Sequence, residues 1–274
     1  MTTRADALAG REPGLFGRVG RVFARERGNF TWVYLWSAPI RAMHWLAALC
    51  IIVLIVTGFY IGSPYFVTSG EASAHFLMGR VRFIHFFAAA VIVMTGIVRV
   101  YWLMVGNQFE RFPALFPVTR KNLSNLLKTA ISYVTFRPEK QPNFVGHNPM
   151  QQWSYTGVYA LMVVMTVTGF TMYGQSNPGG VIFGAFGWVP PLLGGLQGVR
   201  VIHHVLAWAF LIFIELHVYF AIRSDYIERA GVVSSIITGG RYIATDEQYE
   251  DYDIAAVPAH PWPTHESPAP KGGA

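Results

Sequence analysis

Residues 199–225 read VRVIHHVLAWAFLIFIELHVYFAIRSD, and this stretch decides the fold. Between Arg200 and Arg223 its only charged side chain is Glu215, and about 20 apolar residues is the length that crosses the hydrocarbon core of a bilayer as a helix. His203 and His217 stand fourteen residues apart within it. At roughly 100° and 1.5 Å per residue that interval closes to within about 40° of whole turns, so both imidazoles share one helix face, roughly 21 Å apart along the axis. His204 points about 140° away from His217 on the same count. Imidazole is costly in hydrocarbon, and a pair on one face of a spanning helix marks function.

The rest of the chain has the same character. Of 274 residues 53% are hydrophobic and 13% charged, against about 25% charged in soluble domains, and the mean hydropathy is +0.35. An ordinary soluble fold is excluded. Three further spans are predicted: residues 43–62, residues 82–105 with Arg99 deep in them, and residues 152–173. The fold class is therefore an all-α integral membrane protein, a four-transmembrane-helix bundle. Residues 174–198, rich in Gly and Pro, read as a structured connection with a short interfacial helix. Residues 123–134 read as an amphipathic helix, and Trp32, Tyr34, Trp36, Trp102, Trp153 and Trp188 flank the spans as an interfacial belt. No internal repeat is read. Three regions follow: a cytoplasmic N-terminal segment (1–42), the transmembrane domain (43–222) and a polar cytoplasmic tail (223–274) ending in a Pro-rich stretch. No apolar core precedes Met43, so the first span is expected to serve as an uncleaved anchor.

Lys and Arg counts orient the bundle. Seven precede the first span, six lie between the second and third, and four follow the fourth, whereas the other two connections hold three. The positive-inside rule places both termini and the middle loop in the cytoplasm. The net charge of +6 then reflects topology and anionic head groups rather than nucleic-acid binding.

This topology pairs the histidines. His44 begins the first span on the cytoplasmic side, level with His217; His85 begins the second on the periplasmic side, level with His203. The single cysteine, Cys50, excludes an intrachain disulfide and Cys-rich zinc or iron–sulfur sites. Zinc would want a third or fourth protein ligand at each level. Two stacked bis-histidine pairs suit b-type haem, whose porphyrin supplies the other four bonds. Gly58, fourteen after His44, and Gly96, eleven after His85, stand where a flat macrocycle could approach the backbone; close helix packing is the other reading of such glycines. Arg99, fourteen after His85, either meets a propionate of the cytoplasmic haem or snorkels to head groups. Glu215 reads as buried, serving a proton relay or pairing with a helix-end arginine. His75 and His147 fall in connections, where local hydrogen bonding is the default, although His147 opens the third span and could line a quinone pocket. His260 and His265, in the tail, carry no signal.

With VYLWSAPIRAMHWLAALCIIVLIVTGFYIG, RFIHFFAAAVIVMTGIVRVYW, GHNPMQQWSYTGVYALMVVMTVTGF and the fourth span continuing into VVSSIITGGRY, the chain resembles the b-type cytochrome subunit of membrane-bound nickel–iron uptake hydrogenases. That family is similar in fold to the cytochrome subunit of formate dehydrogenase. The resemblance runs from about Tyr34 to Tyr242. It implies an electron-transfer subunit of a hydrogen:quinone oxidoreductase complex in the bacterial inner membrane, with no catalytic residue of its own. Hydrogen is split in the large subunit, electrons pass along iron–sulfur clusters of the small subunit, and two haems b relay them to quinone. Carried over, the periplasmic-side haem falls to His85 and His203, and the cytoplasmic-side haem to His44 and His217. Dihaem cytochromes of formate or thiosulfate enzymes share the histidine pattern. A haem-free anchor would have no use for four matched histidines, and a histidine-relay transporter would show inverted repeats or paired broken helices.

Overall fold

In the computed structural model, residues 24–27, 30–66, 69–70, 75–116, 120–135, 143–228, 231–244 and 247–253 are described. Most of the N-terminal segment and the Pro-rich end of the tail, with His260 and His265, lie outside them. In chain order the elements are β1 (Ala24–Arg27), β2 (Phe30–Tyr34), α1 (Ala38–Gly62), α2 (Leu77–Val105), α3 (Phe112–Leu115), α4 (Arg120–Thr135), α5 (Pro149–Gly174), α6 (Val181–Phe186), α7 (Val189–Leu192), α8 (Leu196–Glu228), α9 (Val232–Thr238) and β3 (Gly240–Ala244). Among the described residues four helices, α1, α2, α5 and α8, are long and apolar enough to cross a membrane. They are the four predicted spans. Each begins three to five residues before the predicted apolar run, because a helix outlasts the hydrocarbon core while hydropathy reports only the core. The amphipathic segment is α4, and the Gly- and Pro-rich connection carries α6 and α7.

The bundle is built as two pairs: α1 packs along α2 and α5 along α8, while α1 touches α8 more sparingly. Inside the first pair Cys50, Ala88 and Ile92 form a small buried cluster with Leu54 and Met162 against it. Large apolar side chains such as Leu49, Phe87, Val163 and Ile212 face outward, as lipid-facing positions of spanning helices do. Two polar contacts hold α5 at its start. Asn148 accepts from the Gln151 N–H at 2.9 Å, and the Gln151 side chain accepts from the Asn148 N–H at 3.0 Å, a reciprocal cap with Pro149 in the first turn.

An antiparallel sheet in the order β1-β2-β3 joins the two flanks of the bundle at one end. It falls outside the all-α expectation, since its strands are four or five residues each and β2 and β3 lie at opposite ends of the chain. The segment past Ile222 is likewise more than a tail: α8 runs on to Glu228, then α9 and β3 fold back onto the bundle. Val33, Leu35, Phe109, Val145, Ile243 and Tyr252 form a buried core there. Gly239 makes the turn into β3 at φ +95°, a conformation open to glycine at little cost; its carbonyl accepts from the N–H groups of Leu35 and Trp36 at 2.8 and 2.9 Å. The carbonyl of Ile237 accepts from Arg41, and that of Ile236 from the Trp45 indole at 3.3 Å. The last carbonyls of α9 thereby find the donors that a helix end lacks internally.

Candidate haem-binding site

At the sheet end, His44 of α1 and His217 of α8 face one another with ring centroids 6.2 Å apart and planes at 48°. Two metal–nitrogen bonds of about 2 Å with a ring radius of roughly 1 Å on either side span about 6 Å, so one metal centre fits between the rings. Phe213 stacks on His217 at 5.6 Å and Trp45 meets His44 edge-on at 5.2 Å. Nδ1 of His44 is buried with no hydrogen-bond partner among the described residues.

At the other end, His85 of α2 and His203 of α8 are close enough to interact electrostatically. Each is gripped by the spanning helix before its own. Thr57 Oγ1 of α1 lies 2.8 Å from Nδ1 of His85, and Thr168 Oγ1 of α5 lies 2.9 Å from Nδ1 of His203. A glycine follows each threonine: a Cβ on Gly58 would stand 3.3 Å from Cε1 of His85, and one on Gly169 would stand 3.4 Å from Cε1 of His203. The sequence signal for this was the tetrapeptide VTGF, present at residues 56–59 and again at 167–170. It is easily passed over in a chain without a longer repeat. Gly58 thus lies against His85, and a Cβ on Gly96 would meet nothing within 4 Å.

The donor set suits a flat macrocycle. Among the described residues no three His, Cys, Asp or Glu side chains gather as a metal site, whereas imidazoles converge in twos from helices of different pairs. His204 is engaged elsewhere: its Nε2 accepts from the Trp208 indole at 3.3 Å, and its ring meets Phe59 edge-on. Arg99 is held by neutral oxygens, donating from Nε to the Tyr159 hydroxyl at 3.1 Å and from both terminal nitrogens to the Glu110 carbonyl at 3.2 Å. Glu215 is exposed on α8, not buried as its position in the span suggested.

His147 occupies a hollow of mixed polar and apolar lining at the sheet end, with Gln108, Phe109, Asn125, Gln152 and Asp251 around it. Its ring lies between Trp36 and Tyr155, with centroids 4.8 and 4.6 Å away. Burial, with the positive charges of Arg99 and Arg241, pushes its pKa down to about 3. Asp251 accepts from the N–H groups of Val145 and Gly146, both at 2.7 Å, yet burial dominates and raises its pKa.

The sequence model of the prokaryotic cytochrome b561 family matches residues 35–239, from the end of β2 to the end of α9, all four spanning helices included. The chain belongs to that family. This cytochrome is 40% identical over 210 residues to a probable Ni/Fe-hydrogenase B-type cytochrome subunit of Cupriavidus necator, covering 76% of the chain and 86% of the relative. It is 38% identical over 218 residues to the protein of that name in Azotobacter vinelandii, covering 79% and 91%. A probable Ni/Fe-hydrogenase 1 B-type cytochrome subunit of Escherichia coli K12 is 34% identical over 212 residues, covering 76% and 90%. The cytochrome is thus a multi-pass membrane protein like its family, and its three strands lie just outside the matched region.

Proposed function

We propose that this chain is the membrane cytochrome b subunit of a nickel–iron hydrogenase in the bacterial inner membrane. It accepts electrons from the iron–sulfur small subunit, whose large partner splits hydrogen on the periplasmic side, and delivers them through two haems b to the quinone pool. The observation that carries the reading is the meeting of His44 and His217 across 6.2 Å at one end of the bundle, with His85 and His203 oriented by matched threonines at the other. The names of the relatives favour a hydrogenase partner over a formate or thiosulfate enzyme.

Haem bound at each pair supplies reversible one-electron transfer. The chain's residues do the rest. His85 and His203 offer neutral imidazoles at the end facing the hydrogenase, and His44 and His217 offer theirs at the quinone end, so electrons cross most of the bilayer inside protein. Apolar side chains along α1, α2, α5 and α8 keep water from both levels. Arg99, Gly58 and Gly96 complete the proposed haem surroundings, Arg99 as a cation toward propionates at the sheet end and the glycines by leaving space.

The test is haem quantitation with redox difference spectra on the purified chain, beside His203→Ala and His217→Ala. Two b-type haems, one lost with each substitution, is the expected result. A single haem lost only with His203 removes the second relay; no haem in a folded, membrane-inserted chain overturns the reading in favour of an anchor.

A further inference from the structure

We propose that Thr57 and Thr168 are positioning residues that fix the tautomer of His85 and His203, so that Nε2 is the metal-facing nitrogen of each. The inference rests on the reading of that pair as haem ligands. A hydroxyl has one hydrogen to give and two lone pairs, and a neutral imidazole has one N–H and one bare nitrogen. Thr57 Oγ1 lies 2.6 Å from the carbonyl of Val53, and Thr168 Oγ1 lies 2.8 Å from the carbonyl of Val164, so each hydroxyl hydrogen is spent on its own helix. Toward the histidine each oxygen then presents a lone pair, and at 2.8 and 2.9 Å only an Nδ1–H can complete the bond. The proton is thereby held on Nδ1, and Nε2 is bare. Metal-bound histidines commonly donate their second nitrogen in this way, which fixes ring orientation and raises ligand basicity.

The arrangement occurs twice in one form. In residues 56–59 and 167–170 the same four letters, VTGF, place a hydrogen-bonding threonine and a side-chain-free glycine against a histidine of the next spanning helix. The helices bearing the tetrapeptide, α1 and α5, run in one direction, and those bearing the histidines, α2 and α8, return. The two pairs therefore present their imidazoles from opposite sides at one level of the bundle. At the sheet end His44 has no such acceptor among the described residues. More basic imidazoles stabilise the ferric state, so each threonine lowers the potential of a haem held by His85 and His203.

The experiment measures midpoint potentials and low-spin ferric EPR g-values of both haems in the purified full-length cytochrome, in wild type and variants. Thr57→Val and Thr168→Val each keep shape and remove the hydroxyl acceptor, leaving His203 the backbone carbonyl of Met165. Each is expected to raise the potential of one haem, shift its g-values, and weaken haem retention at that site by roughly 10- to 100-fold, with the other haem unchanged. Thr57→Ser and Thr168→Ser restore wild-type values. Thr171→Val, at a buried threonine bonded to its own helix, changes neither haem. A double valine variant with wild-type potentials and g-values overturns the proposal, as do serine variants that behave like valine. Should the valine variants fail to insert, Thr57→Ala and Thr168→Ala remove the same oxygens with less bulk, and unaltered potentials and g-values there overturn it as well. Loss of neither haem in His85→Ala and His203→Ala refutes the ligand pair itself, and the threonine role with it; retention of the pair with inert threonines refutes the threonine role alone.

Discussion

His147 is a histidine that folding keeps neutral. With its pKa pushed down to about 3 and an unfolded value near 6.5, the unfolded chain binds a proton that the folded chain refuses between those limits. Stability contributed by this site is full above about pH 6.5 and falls as pH drops toward 3. The raised Asp251 acts with the opposite sign, losing its contribution as pH rises through its folded value. A difference measurement separates them: thermal midpoints of wild type and His147→Gln, taken from pH 7.5 to 4.5, should converge as pH falls. Parallel curves would show that folding leaves the pKa of His147 unshifted. At this scale the candidate ligands were legible and their supports were not. Histidine in an apolar run is conspicuous by cost, and fourteen-residue spacing is arithmetic. Thr57 and Thr168 look like any threonine in a spanning helix bonding back to its own carbonyl; what sets them apart is a neighbour 28 or 35 residues away.

Among the elements, α1 starts with a borrowed cap. Ser37 precedes the helix without a side-chain cap of its own, and its N–H donates instead to Oε1 of Glu110 at 2.6 Å. The other oxygen of that buried carboxylate accepts from the Trp102 indole at 2.8 Å and the Asn107 N–H at 3.2 Å. A carboxylate at a helix N-terminus also complements the helix dipole. Glu110→Ala leaves three donors without an acceptor and is expected to cost about 2–4 kcal/mol, read as a lowered midpoint of unfolding in detergent micelles. Asn148→Ala, which breaks the reciprocal cap on α5, should cost about 1 kcal/mol. A Glu110 variant no less stable than the Asn148 variant would mean that water or lipid head groups replace the carboxylate. The spanning helices were readable because a bilayer demands some twenty apolar residues in a row. The strands were not, because ARER, FTWVY and GRYIA are too short to show alternation, and the pairing of Trp32 with Tyr242 is information no local window holds.

For the whole molecule, the sheet constrains topology independently of charge. Hydrogen bonds between β2 and β3 require the chain before α1 and the chain after α8 to lie on one side of the membrane, which four crossings deliver. Asn143 donates to Glu247 at 3.1 Å, and Asp251 caps Val145 and Gly146, so the segment before α5 shares that side. From the asymmetry of Lys and Arg we propose that this is the cytoplasmic side. Because Cys50 is the single cysteine and is buried, Cys50→Ala provides a background in which the side can be read directly. A cysteine placed at the exposed Ser63 should react with a membrane-impermeant maleimide in intact cells. One placed at the exposed Ser124 or Gln248 should react only after the inner membrane is opened. Reversed labelling would turn the bundle over and put the His85/His203 end on the wrong side for a periplasmic donor. Ser124 and Gln248 labelling from opposite sides would instead break the joined end that seats His147 and the first turn of α1.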